Sequence, residues 1–278
     1  MSLPKNIYHY CNVETFMKIT ENKNLWLSNS FKMNDAYENT WIEQFINDKI
    51  NSLDDKYEKF INQFISLYKF HNNVPYLACF SEKGDILSQW RAYADDGSGI
   101  AIAFNTEQLG LKEYLPGLGV DADITTGLYN VLYDDKKQAK IVNNIFDNFI
   151  AQIEKEELNE STASSLCADL LNRYSVVFKN PKFSEEKEWR IIHNPLITND
   201  KNNNIEISGN ISNMSFRPTD SGIISYFKFP LDDIFSSHLI PKIILGPKCE
   251  LDKYDFQMYL NLNNLKNTKV VRSMASYR

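Results

Sequence analysis

The chain has 278 residues, of which 43% are apolar and 13% aromatic, and it carries a formal net charge of -6 at pH 7. This length and composition fit one large domain or two modest ones and argue against disorder. The acidic balance disfavours a constitutive nucleic-acid-binding protein, whose affinity comes from clustered Lys and Arg, although it leaves a local basic groove open.

No apolar run approaches the roughly 18 residues that a membrane helix needs. The first residues also lack the basic and apolar regions of a signal peptide. We therefore expect a cytoplasmic protein that does not contact a membrane. The four cysteines stand singly, and there is neither a C-x-x-C pair nor clustered His, so no metal site and no disulfide framework is predicted.

Hydrophobic periodicity predicts strands and helices that follow one another irregularly along the chain. Asn12 is the predicted N-cap of the first helix, Asp85 that of a short helix, and Ser161 that of a later one. The sequence D-D-G-S-G predicts a turn. The predicted strands are 7–11, 25–27, 74–80, 100–104, 128–133, 189–193, 205–207, 226–229, 243–245 and one near 270. The predicted helices are 13–20, 37–45, 57–68, 87–94, 134–157, 161–178 and 254–262.

This order lacks the strict βαβ rhythm of a parallel doubly wound sheet. We predict a single α+β domain over residues 1–278, with a mixed, mainly antiparallel sheet core and amphipathic helices packed around it. A helix-rich insertion is predicted at about 134–178.

Common catalytic motifs such as G-x-S-x-G, the P-loop, H-E-x-x-H and G-x-G-x-x-G are absent, so candidate residues come from strand ends and turns. In Y-H-Y, strand alternation points His9 away from both tyrosines, toward a cleft or into a structural hydrogen bond. Ser28, Asn34 and Asp35 lie where a predicted strand leads into a helix, and Asn34 or Asp35 also fits the role of its N-cap.

Two further patterns contain candidates. Trp90 and Tyr93 are three residues apart on a predicted helix and share one side of it, which suits either core packing or a ligand platform. Glu186, Glu188 and Arg190 alternate and would share a strand face. They are either solvated charges on an edge strand or a carboxylate held at a cleft by a guanidinium.

A metal-dependent nuclease is a further alternative, because the chain supplies carboxylates, but no spacing singles out a metal set. These carboxylates are Asp35, Glu38, Asp85, Glu186 and Glu188.

Six segments occur in the order Y-H-Y, L-W-L-S with F-K-M-N-D-A-Y-E, C-F-S-E-K-G-D-I-L-S-Q-W-R-A-Y-A, D-G-S-G-I-A-I-A-F, K-F-S-E-E-K-E-W-R-I-I and I-I-L-G-P. Together they span nearly the whole chain and resemble the domain of unknown function 2971 family.

The opening segment Y-H-Y-C-N-V-E-T-F-M-K-I-T-E-N-K-N-L-W-L-S more distantly resembles the start of ADP-ribosyltransferase-like domains. In that superfamily a first-strand His or Arg helps to hold NAD, a later Ser, Thr or Tyr supports the site, and a late-strand Glu orients the ribose. The resemblance implies the first role for His9, the second for Ser28 or Ser81 and the third for Glu188.

The resemblance thus implies an NAD-dependent ADP-ribosyltransferase or NAD-cleaving enzyme, such as a bacterial toxin or phage-defence effector, with His9 and Glu188 as catalytic residues. NAD is then a substrate, and a small nucleotide is the expected partner, while a macromolecular target, nucleic acid included, stays open. The alternative is a non-catalytic module that binds a small ligand or a protein through the same cleft. The residues expected to bind the nucleotide are His9, Ser28, Asn34, Asp35, Ser81, Trp90, Tyr93 and Arg190.

Overall fold

A computed structural model describes residues 3–32, 40–69, 74–199, 202–219 and 222–277. Its strands are β1 (Asn6–Cys11), β2 (Asn24–Asn29), β3 (Tyr76–Ser81), β4 (Ile100–Asn105), β5 (Thr126–Asn130), β6 (Glu188–His193), β7 (Leu196–Asn199), β8 (Ile205–Ser208), β9 (Ser215–Thr219), β10 (Gly222–Pro230), β11 (Lys242–Leu245) and β12 (Lys269–Arg272). Its α-helices are α1 (Val13–Asn22), α2 (Glu43–Asn51), α3 (Glu58–Lys69), α4 (Leu87–Tyr93), α5 (Thr106–Leu109), α6 (Ala122–Thr125), α7 (Asp135–Glu154), α8 (Glu160–Ser175) and α9 (Lys253–Leu262).

The main sheet is mixed and mainly antiparallel, so the predicted α+β class is confirmed. Its strands follow the order β12-β11-β4-β1-β3-β2-β10-β9, and β6 pairs with β3 while β5 pairs with β6. Only the β11–β12 pair is parallel among the described strand pairs. A separate antiparallel hairpin consists of β7 and β8.

The two edges of β3 differ in the strands that pair with them. Along one edge β3 pairs with β6 over its whole length. The other edge is shared, because β1 pairs with its end at Ser81 and β2 pairs with its beginning at Tyr76 and Leu77. The strands β1 and β2 therefore separate from each other over the middle of β3.

Two large apolar clusters enclose the sheet. One joins the sheet to α1 and α9 through residues such as Phe16, Phe227 and Phe256. The other joins α2, α3, α7 and α8, with Phe146 packed edge-on against both Phe60 and Phe64. The helix-rich insertion predicted at about 134–178 thus packs together with α2 and α3 rather than standing alone.

Of the three N-caps predicted at Asn12, Asp85 and Ser161, the first is right and the other two are wrong. Asn12 caps α1, and its side chain accepts a hydrogen bond from the Thr15 amide at 2.8 Å. Asn159 rather than Ser161 caps α8, since its side chain accepts from the Thr162 amide. An Asn and a Ser two residues apart are both good caps, so local propensity alone does not choose between them.

Asp85 is not a helix cap, because Ile86 occupies the N-cap position of α4. Its carboxylate instead accepts hydrogen bonds from the Trp90 indole at 2.7 Å and from the Ser273 hydroxyl and Met274 amide. Asp85 thereby connects α4 to the chain beyond β12, a long-range contact that periodicity does not reveal.

Other differences concern the strands. The strand predicted at 128–133 begins and ends earlier, as β5, and periodicity did not predict β7 or β9. The sequences of β7 and β9, L-I-T-N and S-F-R-P-T, hold polar or Pro residues that weaken the strand signal. None of the described helices combines the length and apolarity that crossing a membrane requires.

A first prediction concerns Gly99, where the D-D-G-S-G turn enters β4. A Cβ built on Gly99 would overlap the carbonyl oxygens of Cys11 and Ala94, which are backbone atoms that cannot swing away. We expect Gly99→Ala to lower the free energy of unfolding by about 3 kcal/mol. Gly110→Ala is the control, because Gly110 has a φ of +68° but open space around it, and should cost about 1 kcal/mol. Urea denaturation of both variants measures the difference, and equal losses would contradict the steric argument.

Candidate functional site

A cleft with a volume of about 260 Å³ opens where β1 and β2 separate. The middle of β3 forms its floor, β1 and β2 form its two sides, and residues from α4, β6 and β9 complete the wall. The cleft is lined by Tyr8, His9, Tyr10, Trp26, Ser28, Lys32, Leu77, Ala78, Cys79, Phe80, Gln89, Tyr93, Lys179, Glu186, Glu188 and Arg217.

His9 joins β1 to β3 inside this cleft. Its Nδ1 lies 3.0 Å from the carbonyl oxygen of Cys79, and because a carbonyl only accepts, Nδ1 carries the proton. Burial lowers the pKa of His9 and outweighs the opposing effect of this hydrogen bond. The imidazole is therefore neutral at pH 7, and its Nε2 is a hydrogen-bond acceptor.

The predicted alternation in Y-H-Y is confirmed. Tyr8 and Tyr10 pack in the cluster around Trp90, whereas Ile7 and Cys11 belong to the cluster on the other face of the sheet. His9 therefore points away from both tyrosines.

Four charged side chains meet at the end of the cleft near β6. Glu188 accepts from Arg190 Nε at 2.8 Å and from Arg190 Nη2 at 3.0 Å, a two-point ion pair. Lys179 Nζ lies 3.1 Å from Glu188 Oε2 and 2.7 Å from Glu186 Oε2. The two carboxylates and two cations balance in charge, and Arg190 is fully buried.

The environment of Glu188 keeps its carboxyl ionised. Burial by itself raises the pKa of Glu188, but the charges of Arg190 and Lys179, together with hydrogen bonds from Arg190 and Cys79, outweigh burial and hold the pKa well below its ordinary value. Arg190 does not line the cleft although Glu188 and Lys179 do. The guanidinium thus supports the carboxylate from behind, on the side that is closed to a ligand.

The structure brings together four of the residues that were expected to bind the nucleotide or to act in catalysis. His9, Ser28, Tyr93 and Glu188 all line the one cleft, from β1, β2, α4 and β6 respectively. Burial and the nearby Glu186 carboxylate raise the pKa of Tyr93, so its phenol stays protonated and can donate a hydrogen bond.

Other selected residues lie outside the lining. Ser81 is buried beside the cleft, where its hydroxyl donates to the Glu186 carbonyl at 2.6 Å. Trp90 is fully buried and packs edge-on against Tyr10, with ring centroids 4.9 Å apart. It is part of the core rather than a surface for a ligand. Asn34, Asp35 and Glu38 lie outside the described residues.

The surroundings of Glu186 and Glu188 also decide between the two interpretations of K-F-S-E-E-K-E-W-R-I-I. Glu188 and Arg190 lie on β6, which pairs with β3 and β5 on its two edges and is buried throughout. Glu186 belongs to a 3-10 helix that precedes β6. The expected edge strand with solvated charges is therefore wrong, and the carboxylate held at a cleft by a guanidinium is what the structure contains.

Several residues of the cleft were missed from the sequence, among them Lys179, Trp26 and Arg217. Lys179 follows α8 and no local pattern marks it as buried. Trp26 stacks on Tyr226 at 4.3 Å across the β2–β10 pair, a contact that alternation in L-W-L-S could have suggested only if the partner strand were known. Arg217 lies on β9, which was not predicted.

Within the described part of the chain, no three His, Cys, Asp or Glu side chains are grouped so as to hold a metal ion.

Residues 89–191 match the model of a family described as protein of unknown function (DUF2971). The match covers most of α4, most of β6 and the Lys179–Glu188 region, but neither β1 nor β2. No curated protein and no solved structure matches the chain.

The Glu188–Arg190 ion pair leads to a prediction about the stability of three variants. Glu188→Gln leaves the buried Arg190 with no carboxylate from β6, so we expect a loss of about 3–5 kcal/mol in the free energy of unfolding at pH 7. The double variant Glu188→Gln with Arg190→Met removes both charges and should recover most of that loss, because an apolar replacement of a buried pair is often neutral. Glu185→Gln, in the same turn but exposed, should change stability by less than about 0.5 kcal/mol. Urea denaturation provides the measurement, and a double variant no more stable than Glu188→Gln would count against the pair.

The same pair predicts a pH dependence. The pKa of Glu188 is lower in the folded protein than in the unfolded chain, so its stabilisation is present above the unfolded-state value of about 4.5. The stabilisation disappears as the pH falls toward the folded-state value. We expect the wild type to lose more stability than the double variant between pH 5 and pH 3, and the gap between them to be constant above about pH 6. Denaturant titrations at each pH test this, and parallel curves down to pH 3 would refute it.

Proposed function

We propose that this chain, which is similar over residues 89–191 to a family of unknown function, is an NAD-cleaving enzyme of the ADP-ribosyltransferase-like type. The observation that carries the proposal is the convergence of His9, Ser28, Tyr93 and Glu188 on one cleft. Residues from four separate elements meet there, at a break in the sheet large enough to admit part of a nucleotide.

The chemistry requires a fixed negative charge next to a developing positive one. When the bond between ribose C1′ and the nicotinamide nitrogen breaks, the electron pair goes to nicotinamide and the ribose acquires oxocarbenium character. Water or an acceptor group then attacks C1′ and loses its proton. Glu188 is ionised at neutral pH and is held in place by Arg190, so it can stabilise this cation without reorganising.

The remaining residues suit binding and orientation. Neutral His9 offers Nε2 as an acceptor for a ribose hydroxyl, and Ser28 offers a hydroxyl on the opposite side of the cleft. Tyr93 is 42% exposed and provides an aromatic surface and a phenol donor at the end where Glu186 and Glu188 lie. An activity of this kind would suit a bacterial toxin or phage-defence effector, and we place it in the cytoplasm, in keeping with four free cysteines.

A second candidate is a binding module without catalysis. It is favoured by the contacts of Glu188, since both carboxylate oxygens accept hydrogen bonds from cations. A neutralised carboxylate contributes less to stabilising an oxocarbenium ion than a free one does. In this case the charged cluster serves to position the wall of the cleft.

Incubation of the purified protein with NAD, with and without cell extract, tests the proposal through the release of nicotinamide. We expect release by the wild type, and Glu188→Gln should lower its rate on the order of 10²- to 10³-fold, because one preorganised electrostatic group is lost. Glu185→Gln is the matched control, since Glu185 is exposed and outside the lining, and should keep the wild-type rate.

Because Glu188→Gln also destabilises the fold, the assay includes the double variant with Arg190→Met, which should be folded but inactive. A double variant with the wild-type rate would refute the role of Glu188. If NAD stabilises the protein against heat, as saturating ligands do, but no nicotinamide is released, the non-catalytic module is the better description.

A further inference from the structure

The cleft continues beyond Trp26 and Ser28 into an adjoining cavity of about 270 Å³. We infer that this cavity is an anion subsite, in which Arg217 binds the phosphates of a nucleoside diphosphate group and Trp26 stacks on its base. The choice of ligand rests on the proposed function, in which NAD supplies such a group. The two cavities share His9, Trp26, Ser28, Ala78 and Arg217, so one ligand can extend through both.

Arg217 is a cation with no hydrogen-bond or ion-pair partner among the described residues. Its Nε is buried and donates to no acceptor in the part of the chain that the structure describes. Arg173 and Arg190, by contrast, pair with Asp169 and Glu188, and Arg272 donates to the Cys249 carbonyl. A shielded, unsatisfied donor on a charged group is costly, and a bound anion would satisfy it.

The sheet directs Arg217 toward the same face as Trp26 and Ser28. Arg217 pairs with Ile224, two residues from Tyr226, and Tyr226 pairs with Ser28. Directly paired residues and residues two apart on a strand share a face. Arg217, Ser28 and Trp26 therefore project to one side of the sheet, opposite to the core side that holds Phe227.

Trp26 has the position of a stacking platform. One face of its ring lies on Tyr226 at 4.3 Å with an angle of 25° between the planes, and the indole is 36% exposed. Because Trp26 lines both cavities, the face that Tyr226 does not cover is open to a ligand. A planar aromatic base is the group that stacks best on such a surface.

The charged side chains are also distributed unevenly along the cleft. The described lining of the second cavity contains Lys18 and Arg217 but no carboxylate, although Lys18 pairs with Glu14. Glu186 and Glu188 lie at the other end of the first cavity. A ligand with a cationic ring at one end and phosphates further along matches this order.

A buried acceptor in the second cavity points to a ligand as well. Asn24 Oδ1 is shielded from water and has no hydrogen-bond partner among the described residues, while its Nδ2 donates to the Asn22 carbonyl at 2.8 Å. The exocyclic amine of a base that stacks on Trp26 would satisfy it.

Calorimetric titration with ADP, ADP-ribose and adenosine tests the subsite without requiring turnover. We expect Arg217→Ala to raise the Kd for ADP and ADP-ribose at least tenfold, because a charge-assisted contact is lost, and to leave the Kd for adenosine unchanged. Arg217→Lys keeps the charge but not the fork of donors, so its effect should be intermediate. Lys140→Ala removes an exposed cation on α7 and should leave all three affinities unchanged.

The outcomes separate this inference from the proposed function. ADP binding that depends on Arg217 in a protein that releases no nicotinamide supports the subsite and rejects the enzyme activity. Nicotinamide release with an unaltered KM for NAD in Arg217→Ala rejects the subsite and leaves the activity. The subsite is also rejected if the wild type does not bind ADP, or if Arg217→Ala binds it within twofold of the wild type. Since Arg217 has no partner in the ranges that the structure describes, the variant should fold as stably as the wild type, which thermal unfolding verifies.

Discussion

The hydrogen bond from His9 to the Cys79 carbonyl lies where β1 and β2 separate over β3, and the rest of the site depends on this separation. Had β1 and β2 paired side by side, backbone hydrogen bonds would close the sheet and leave no cleft. Because β1 and β2 pair only with the two ends of β3, the His9 side chain, rather than a strand, bonds to the Cys79 carbonyl in its middle. The middle of β3 is then a floor that a ligand can reach. Elements that are far apart in the sequence can then add their side chains around it.

The charged side chains at the two ends of the cleft differ in how they are paired. At one end Glu188 and Arg190 are buried as a pair, and desolvating each ion is expensive unless the geometry of the pair is good. Lys179 and Glu186 complete that geometry, so the carboxylate is fixed and ionised. At the other end Arg217 has no such partner within the described part of the chain. An anion in the proposed subsite would satisfy the buried Nε of Arg217, and the two ends together would then define a direction for a ligand.

Much of the fold followed from local patterns in the sequence. The α+β class, the mainly antiparallel sheet and the cap at Asn12 were predicted, because alternation, helical periods and capping act over a few residues. Errors arose where two residues fitted a local signal equally well, as Asn159 and Ser161 both fitted the N-cap of α8. They also arose where a distant contact decided, as when Asp85 bonded to the chain beyond β12, or when β6 acquired a neighbour on each edge and so became an interior strand.

The same division applies to the site. The sequence by itself determined which residue types were available and that His9 would face away from its neighbouring tyrosines, because strand geometry alone sets that direction. Only the tertiary structure decided that Tyr93 lines the cleft while Trp90 is core, that Arg190 lies behind Glu188, and that Lys179 and Arg217 belong to the cleft at all. The physical reason is that strand order and the separation of β1 from β2 depend on pairings between residues as far apart as Tyr8 and Ser81, and no pattern of neighbouring residues encodes them.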